Sequence, residues 1–481
     1  MKTLSTTMLK TKKFIYPLLL VLLLSFGAFL LFFQLPQRGI IAYDEARHGV
    51  NAYEMLQRDD WLVPTYMGEV DYWNLKPPLS QWAIMLGFKI FGYNNLGFRF
   101  QSAFATLVML AVVALWTKKR HGSLASLISL CFLLANFVFY KTHSGRTSDA
   151  DALFYLFATM GFLFMLDSRR NIRYLYGTAL CFGIAFMAKS FHALFIPLAC
   201  FLYLLLTGEI RKLTWKDYLL IPVLALLPII PWAIARYQFD GARFFTSMIQ
   251  TDVLARMTDE IEGKEGLWYY YFYRLATNPT VVVAGLLFAV GLGMKLSKVN
   301  RPTPEQTGLM LWMAVPVIVF SFSSFKLHHY IFTSMTGMAV AAGWTVSFLW
   351  QGARRGLLLT LTLVCAAGLL VQQMVSNVQM IRSESDWGSY QEALVDMLDR
   401  DIDSGVTVYI QYNDSRSTWS QAHVLCAEMA GDVICKNGGV EAFEQEEEDA
   451  LLVVDKACFD YTMLEYYPLY YESTYLIVLE N

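Results

Sequence analysis

Charge is scarce in this chain. Lys, Arg, Asp and Glu make up 16% of 481 residues, where a soluble chain carries about a quarter. Apolar residues reach 56%, a balance that excludes an ordinary string of water-soluble domains and points to a bilayer as solvent. Neither sign of charge dominates: the formal net charge is −2, which names no partner, and no nucleic acid is expected. Cysteines number seven, with no metal-ligand spacing. Cys131, Cys181, Cys200 and Cys365 lie inside apolar runs, where burial is the ordinary role. There is no internal repeat and no low-complexity segment, and the acidic run Glu446–Asp449 reads as a solvated loop.

Long apolar runs are what the chain has instead. They recur with lengths of about 15 to 23 residues, enough to cross a hydrocarbon core. Their positions predict eleven spans, near 14–33, 97–116, 122–140, 150–167, 174–188, 192–207, 217–236, 277–296, 306–323, 328–350 and 356–375. The first follows Lys10, Lys12 and Lys13 and has no small-residue cleavage site after it, so it reads as a retained anchor rather than a signal peptide.

Basic residues then orient the spans. Lys118-Lys119-Arg120, the group Arg169, Arg170 and Arg173, the group Arg211, Lys212 and Lys216, the group Lys295, Lys298 and Arg301, and Arg354-Arg355 occupy alternate loops. All share the side of the amino terminus, the cytoplasmic one, if residues 77–92 do not span. That stretch is short and opens with Pro77-Pro78, so it is expected to lie as a helix at the outer interface. The carboxyl terminus is then outside. The expected organisation is a transmembrane domain over 1–375 with large outer loops at 34–96 and 237–276, followed by an outer domain over 376–481. Strand-like runs at Val406–Tyr412, Ala450–Val454 and Tyr475–Leu479, with a helix-like segment at Gln421–Ala430 between them, make that domain a small α/β unit. Cys426 and Cys435 could pair there, leaving Cys458 over.

Candidate chemistry falls in the outer loops. Tyr43-Asp44-Glu45-Ala46-Arg47-His48 sets two adjacent carboxylates just past the first span, suited to general-base work or metal binding; the alternative is an acidic helix start. Arg146-Thr147-Ser148-Asp149-Ala150-Asp151 stands at the mouth of another span, where Asp149 or Asp151 could simply cap the helix. Outer loops should be poor in Lys and Arg, yet Lys76, Lys141, Arg146, Lys189, Arg256 and Lys326 all fall there. Snorkelling accounts for some of them singly. As a set they suggest an anion, such as a phosphate ester of the outer leaflet. Carboxylates beside phosphate-binding cations suit glycosyl transfer from a lipid phosphate: the cations stabilise the leaving group and a carboxylate takes the acceptor's proton.

At these residues the sequence resembles a known family. Tyr43-Asp44-Glu45-Ala46-Arg47, Gly68, Lys76-Pro77-Pro78-Leu79, Phe91-Gly92 and Arg99 are similar to the first-loop signature of C-type, polyprenyl-phosphate-dependent glycosyltransferases, among them the lipid A aminoarabinose transferases and the protein mannosyltransferase-like group. Arg146-Thr147 with Asp149-Ala150-Asp151-Ala152-Leu153 resembles the family's second acidic motif, Ala188-Lys189 its third-loop lysine, and Lys326 through Tyr330 its late basic-aromatic loop. The ordered set covers about residues 10–375.

The resemblance implies Asp44 as the main catalytic carboxylate with Glu45 beside it, and Asp151, or else Asp149, as the second acidic residue. It implies that Arg47, Lys76, Lys189, Arg256, Lys326 and Tyr330 form the donor phosphate-binding set, with Arg47 also positioning the first-loop carboxylates. His328 and His329 are expected to be interfacial. Two departures bear on a metal. Leu75 stands where aminoarabinose transferases often carry Glu, and Gly263-Lys264-Glu265-Gly266 stands where they often carry His. A divalent metal thus lacks its usual ligands, no cofactor is firmly expected, and Lys264 is the candidate replacement charge. The expected partners are a polyprenyl-phosphate sugar donor, membrane lipids, and an acceptor that is a glycolipid, a cell-envelope glycan or a protein. Two other functions compete: a transporter or flippase of a lipid-linked glycan, supported by Pro222, Pro228 and Pro231 inside one span, and a noncatalytic scaffold.

Overall fold

The structure is a computed structural model that describes residues 2–141, 143–255, 267–297, 301–351, 357–384, 391, 394, 406–411 and 421–481. Among these, six helices are long and apolar enough to cross a membrane: Phe14–Phe32, Asn95–His121, Tyr174–Thr207, Pro279–Leu296, His328–Gln351 and Thr360–Arg382. A seventh crossing results if Trp215–Leu226 and Ile229–Asp240, bent by 48° at their junction, count as one. Pro228 caps the second of these segments and Pro231 lies in its first turn. Each proline removes a backbone donor and crowds the preceding turn, which accounts for the bend. The count of eleven is not reached on length and composition. The expected spans 122–140 and 150–167 correspond to helices of 13 and 17 residues, Ser123–Ala135 and Asp151–Asp167. The expected spans 174–188 and 192–207 form one apolar stretch, interrupted by a short 3-10 segment at Ser190–Leu194.

The chain divides into two compact units that do not follow chain order. The first comprises Met1–Phe33, Ala103–Arg146 and Asp151–Arg382 and is helical. Its helices start where side chains satisfy the first amide groups. Thr214 and Asp217 form a capping box before Trp215, Asn278 accepts from Val281 N ahead of Pro279, and Thr303 and Gln306 do the same around Pro304. Small residues bring helices close. A Cβ on Gly343 would overlap the Ala125 carbonyl and Ser129 Oγ, and one on Gly183 would overlap the Ala225 carbonyl. Arg146 belongs to this unit. Its Nη1 donates to the carbonyls of Leu30, Leu31 and Phe33 at 3.0, 3.2 and 2.9 Å, closing the carboxyl end of the first helix, α1 (Lys2–Phe32), as a cation should.

The second unit comprises Gln34–Ser102, Thr147–Ala150 and Ser383–Asn481. A two-stranded antiparallel ribbon, β1 (Thr65–Tyr66) with β2 (Glu69–Val70), lies in the first loop, and the centre of the unit is a five-stranded sheet of β3 (Thr407–Gln411), β4 (Ile434–Lys436), β5 (Ala450–Asp455), β6 (Leu469–Glu472) and β7 (Leu476–Glu480), in the order β4-β3-β5-β7-β6. β3 runs parallel to β4 and β5, while β7 runs antiparallel to β5 and β6. The strand runs read from sequence coincide with β3, β5 and β7; β4 and β6 are additional. Apolar residues fill both faces because both are covered. Val408, Ile410, Leu451, Val453, Leu476 and Val478 pack with the helices α2 (Asp44–Gln57), α3 (Leu79–Phe91) and Gln421–Gly431. The alternate residues Tyr409, Leu452, Val454, Ile477 and Leu479 pack with Phe443, Phe459 and Met463. The first loop is therefore built into the same core as the sheet. Tyr43 N donates to Gln421 Oε1 at 2.7 Å, and Tyr53 Oη to Asp432 Oδ1 at 3.0 Å.

One expectation is corrected here. Cys426 and Cys435 are both buried and unpaired, with the Cys435 thiol directed at the Val424 carbonyl at 3.9 Å. Each thiol is spent on packing in the core around the sheet, and burial pushes both well above their ordinary pKa.

Two outcomes follow. Gly343→Val should force helices apart and lower the thermal midpoint of detergent-purified protein, at a cost of about 1–3 kcal/mol, with intrinsic fluorescence as the readout. The second concerns Glu428, which burial, and then the neighbouring Glu54 carboxyl, hold well above the usual carboxylate pKa. A raised pKa gives stability that is whole at acid pH and lost as pH rises toward the folded value. Glu428→Gln should therefore gain stability relative to wild type as pH goes from 5 to 9, about those limits. A difference that stays flat with pH would exclude a proton held at this site.

Candidate active site

In the second unit the first-loop residues form a polar cluster around the start of α2. Asp44 opens the helix behind Tyr43, whose φ of 68° is unusual for a residue with a side chain. The Lys76 ammonium lies 3.7 Å from Asp44 Oδ1, with 29% of the Asp44 side chain exposed. Lys76 Nζ also donates to Asn74 Oδ1 at 3.2 Å.

Glu45, one residue on, is in a different situation. Arg99, fully buried, donates from Nε to Glu45 Oε1 at 2.7 Å and from Nη2 to Oε2 at 3.0 Å. Backbone amides of Ile41 and Ser148 donate to the same carboxylate at 2.8 and 2.9 Å. Burial by itself would raise its pKa, but the charge and hydrogen bonds of Arg99, with Arg38 and the Ile41 amide, hold it below the ordinary value. Arg47 is likewise engaged: its Nε and Nη2 reach Asp71 Oδ2 and Oδ1 at 2.8 and 2.9 Å, and its guanidinium lies 3.4 Å from the Tyr66 ring centre. Asp71 also receives Asn51 Nδ2 and the amides of Trp73 and Asn74. Burial opposes and Arg47 outweighs, so its pKa too is lowered. Asp149 is buried in this unit, with Thr147 Oγ1 donating to its Oδ2 at 3.3 Å.

The first unit carries a second cluster at the head of the helix Asp151–Asp167. Lys189, buried, donates to Asp151 Oδ1, and the Tyr155 hydroxyl lies 2.9 Å from the same oxygen. His143 Nδ1 stands 3.4 Å from Asp151 Oδ2. The Lys189 ammonium is 5.5 Å from the centre of the Tyr330 ring, which packs edge-on against His192. Lys326 is buried nearby in sequence and donates to the Ser323 carbonyl. His328 and His329 both pack their rings against His143. Arg256 and Lys264 lie outside the described residues. A buried lysine and tyrosine beside a carboxylate can hold a phosphate or a protonated group, whereas Asp44 with Lys76 can accept a proton and bind an anion.

Comparison with known proteins is consistent in direction. A family model described as dolichyl-phosphate-mannose-protein mannosyltransferase matches residues 75–234. An undecaprenyl phosphate-alpha-4-amino-4-deoxy-L-arabinose arabinosyl transferase 2 of Pseudomonas fluorescens is 29% identical over 393 residues, 76% of this chain and 66% of that protein. The corresponding transferase of Aeromonas salmonicida is 29% identical over 83% of this chain and 73% of its own. The chain is thus similar to the aminoarabinose transferases and, over residues 75–234, to the mannosyltransferase family model. The fold agrees. ArnT from Cupriavidus metallidurans bound to undecaprenyl phosphate superposes with a TM-score of 0.71 at 15% identity, covering 96% of this chain and 97% of that one. The archaeal oligosaccharyltransferase AglB from Archaeoglobus fulgidus superposes with a TM-score of 0.55 at 10% identity, over 92% of this chain and 70% of that one.

The sequence motifs locate the clusters but not the division of labour within them. Asp71, Asn51, Tyr155 and His143 carry much of the polar architecture and had not been singled out. Asp71 had a signal, an acid just ahead of the Lys-Pro-Pro motif. His143 had none, since its partners are 8 and 186 residues away in sequence, at Asp151 and His329. The two neighbouring acids should separate cleanly in experiment. Glu45→Ala leaves Arg99 buried without its counter-ion and should cost about 3–5 kcal/mol of stability, while Asp44→Asn should leave the melting temperature of the purified protein nearly unchanged. Equal melting temperatures for both variants would contradict the structural role of Glu45.

Proposed function

We propose that the chain is a glycosyltransferase that moves a single sugar from a polyprenyl-phosphate donor to an acceptor on the outer face of the inner membrane. The observation that carries the reading is the Asp44–Lys76 pair, a partly exposed carboxylate with an ammonium 3.7 Å away, in contrast with the saturated, buried carboxylates of Glu45 and Asp71. Asp44 takes the proton of an acceptor hydroxyl as the oxygen attacks the anomeric carbon. The bond from that carbon to the phosphate oxygen breaks, and the electron pair leaves with the lipid phosphate. Lys76, Lys189, Lys326, Arg256 and Tyr330 are assigned to hold the phosphate, where their charge and donors stabilise the anion as it departs. Asp151 orients the acceptor or keeps Lys189 in place, with Asp149 as the alternative. Arg47 and Glu45 act by positioning: one fixes the loop through Asp71, the other the start of α2 through Arg99. A single in-line displacement inverts the anomeric centre, as expected from the family.

In this reading the chain crosses the membrane eleven times, the shorter helices included, with its amino terminus cytoplasmic. The basic loops support that orientation, because they fall on one side when α3 does not cross. α3 has the character for an interfacial helix: Ile84, Met85 and Phe88 pack inward while Leu86 and Ile90 stay exposed. The first outer loop and the sheet domain are then extracytoplasmic. The relatives' aminoarabinose and the lipid, glycan or peptide substrates of this group define the class of sugar and acceptor to search.

The test is mass spectrometry of envelope glycolipids, glycans and glycoproteins from cells lacking the gene, complemented with wild type or Asp44→Asn. One sugar should be missing from one acceptor and restored by wild type, with Asp44→Asn slower by about 10²–10⁴-fold at equal protein level. Equal restoration by both forms would remove Asp44 as the base. Unchanged glycans with a lipid-linked precursor stranded in the inner leaflet would replace the transferase by a transporter.

A further inference from the structure

We infer that His143, Asp151 and His329 form a binding site for a divalent transition-metal cation, zinc being the ion that best fits the donors. One donor atom from each of the three residues lies within 4.8 Å of the others. The edge from His143 Nδ1 to Asp151 Oδ2 is 3.4 Å. Ligand bonds of about 2.0–2.2 Å in a tetrahedron place donors about 3.3 Å apart, so that edge needs no rearrangement to accept zinc.

The surroundings are those of a prepared ligand set. Asp151 offers Oδ2 to the site because Oδ1 is held by Lys189 and by the Tyr155 hydroxyl. That hydroxyl is also 2.9 Å from the backbone carbonyl of His329, so its single proton lies between an Asp151 oxygen and the chain that carries His329. Outer partners of this kind orient metal-binding carboxylates and imidazoles. His329 is 1% exposed, and its Nδ1 has no hydrogen-bond partner among the described residues. A buried imidazole nitrogen without a partner costs free energy that a metal bond recovers. The rings of His143 and His329 stack with centroids 3.8 Å apart and planes at 26°. Two imidazolium ions would repel at that distance, whereas two neutral rings present lone pairs to one cation. His143 itself sits at a φ of 54°, a conformation that a residue with a side chain adopts at a cost.

Two imidazoles and one carboxylate leave a fourth position for water or a substrate oxygen, and that set suits zinc and neighbouring first-row ions rather than calcium or magnesium. None of the donors stands at Leu75 or in Gly263–Gly266. The site makes no use of the assignment of Asp44, and its occupancy is measured without any transfer assay.

The full chain, purified in detergent and stripped with a chelator, would be titrated with Zn²⁺ and, separately, with Co²⁺ read by visible absorption. Wild type should bind about one ion per chain, with a Co²⁺ spectrum of low, four- or five-fold coordination. His143→Asn, at the most solvent-accessible donor, and His329→Gln should each weaken binding at least tenfold, by analogy with the loss of a supporting ligand. His121→Asn, remote from the cluster in sequence, should bind as wild type does. Metal binding that is unchanged in His143→Asn, or absent from wild type, would overturn the proposal and leave a His143–Asp151 ion pair only. Should His329→Gln fail to fold, the His143→Asn titration still decides.

Discussion

The buried pair of Arg99 and Glu45 is the constraint around which the first loop is organised. Arg99 gives its remaining donors to the carbonyls of Arg38 and Gly39, at 2.6 and 2.7 Å, and Glu45 collects the amides of Ile41 and Ser148. Four separate stretches of chain thus meet at one ion pair: residues 35–41, the first turn of α2, the helix carrying Arg99, and the segment Thr147–Ala150. Charges removed from water require this degree of saturation, since a buried ion without its partner is expensive. The pair consumes one of the two adjacent acids at the start of α2 in architecture and leaves the other, Asp44, partly open to solvent.

The same economy governs the cations. Among the basic residues, Arg146 donates to the carbonyls at a helix end and Arg47 clamps Asp71, so both make fixed contacts to protein acceptors. Lys189 is different in kind: its partner Asp151 is also approached by His143, in a cluster where three types of titratable side chain share a small volume. Planar guanidinium groups serve the fixed, multidentate contacts, and the flexible ammonium groups of Lys76 and Lys189 sit on single carboxylate oxygens. That division matches the chemistry of the two side chains, a rigid, planar fork and a flexible point charge.

Much of the fold was legible because apolar length and strand pattern are local signals. The six long apolar helices overlap predicted spans, one of them covering two, and β3, β5 and β7 fall on the predicted runs. The shorter helices blurred the count, since a hydrophobic window does not register where a 3-10 turn at Phe137–Phe139 or Ser190–Leu194 ends a regular helix. β4 and β6, of three and four residues, were too short to announce themselves. The proposed Cys426–Cys435 pairing failed because spacing says nothing about which way a thiol points; both serve as packing groups around the sheet.

Composition by itself determined that this is a multi-pass membrane protein, because hydrophobic burial and the cost of charge in lipid act residue by residue. The motif residues likewise named the candidate acids and lysines. Only the tertiary structure decided which acid is saturated and which is open, that Arg47 answers to Asp71, and that His143 and His329 meet at Asp151. Those assignments depend on distances between atoms far apart in sequence, and no local pattern of side chains encodes a distance.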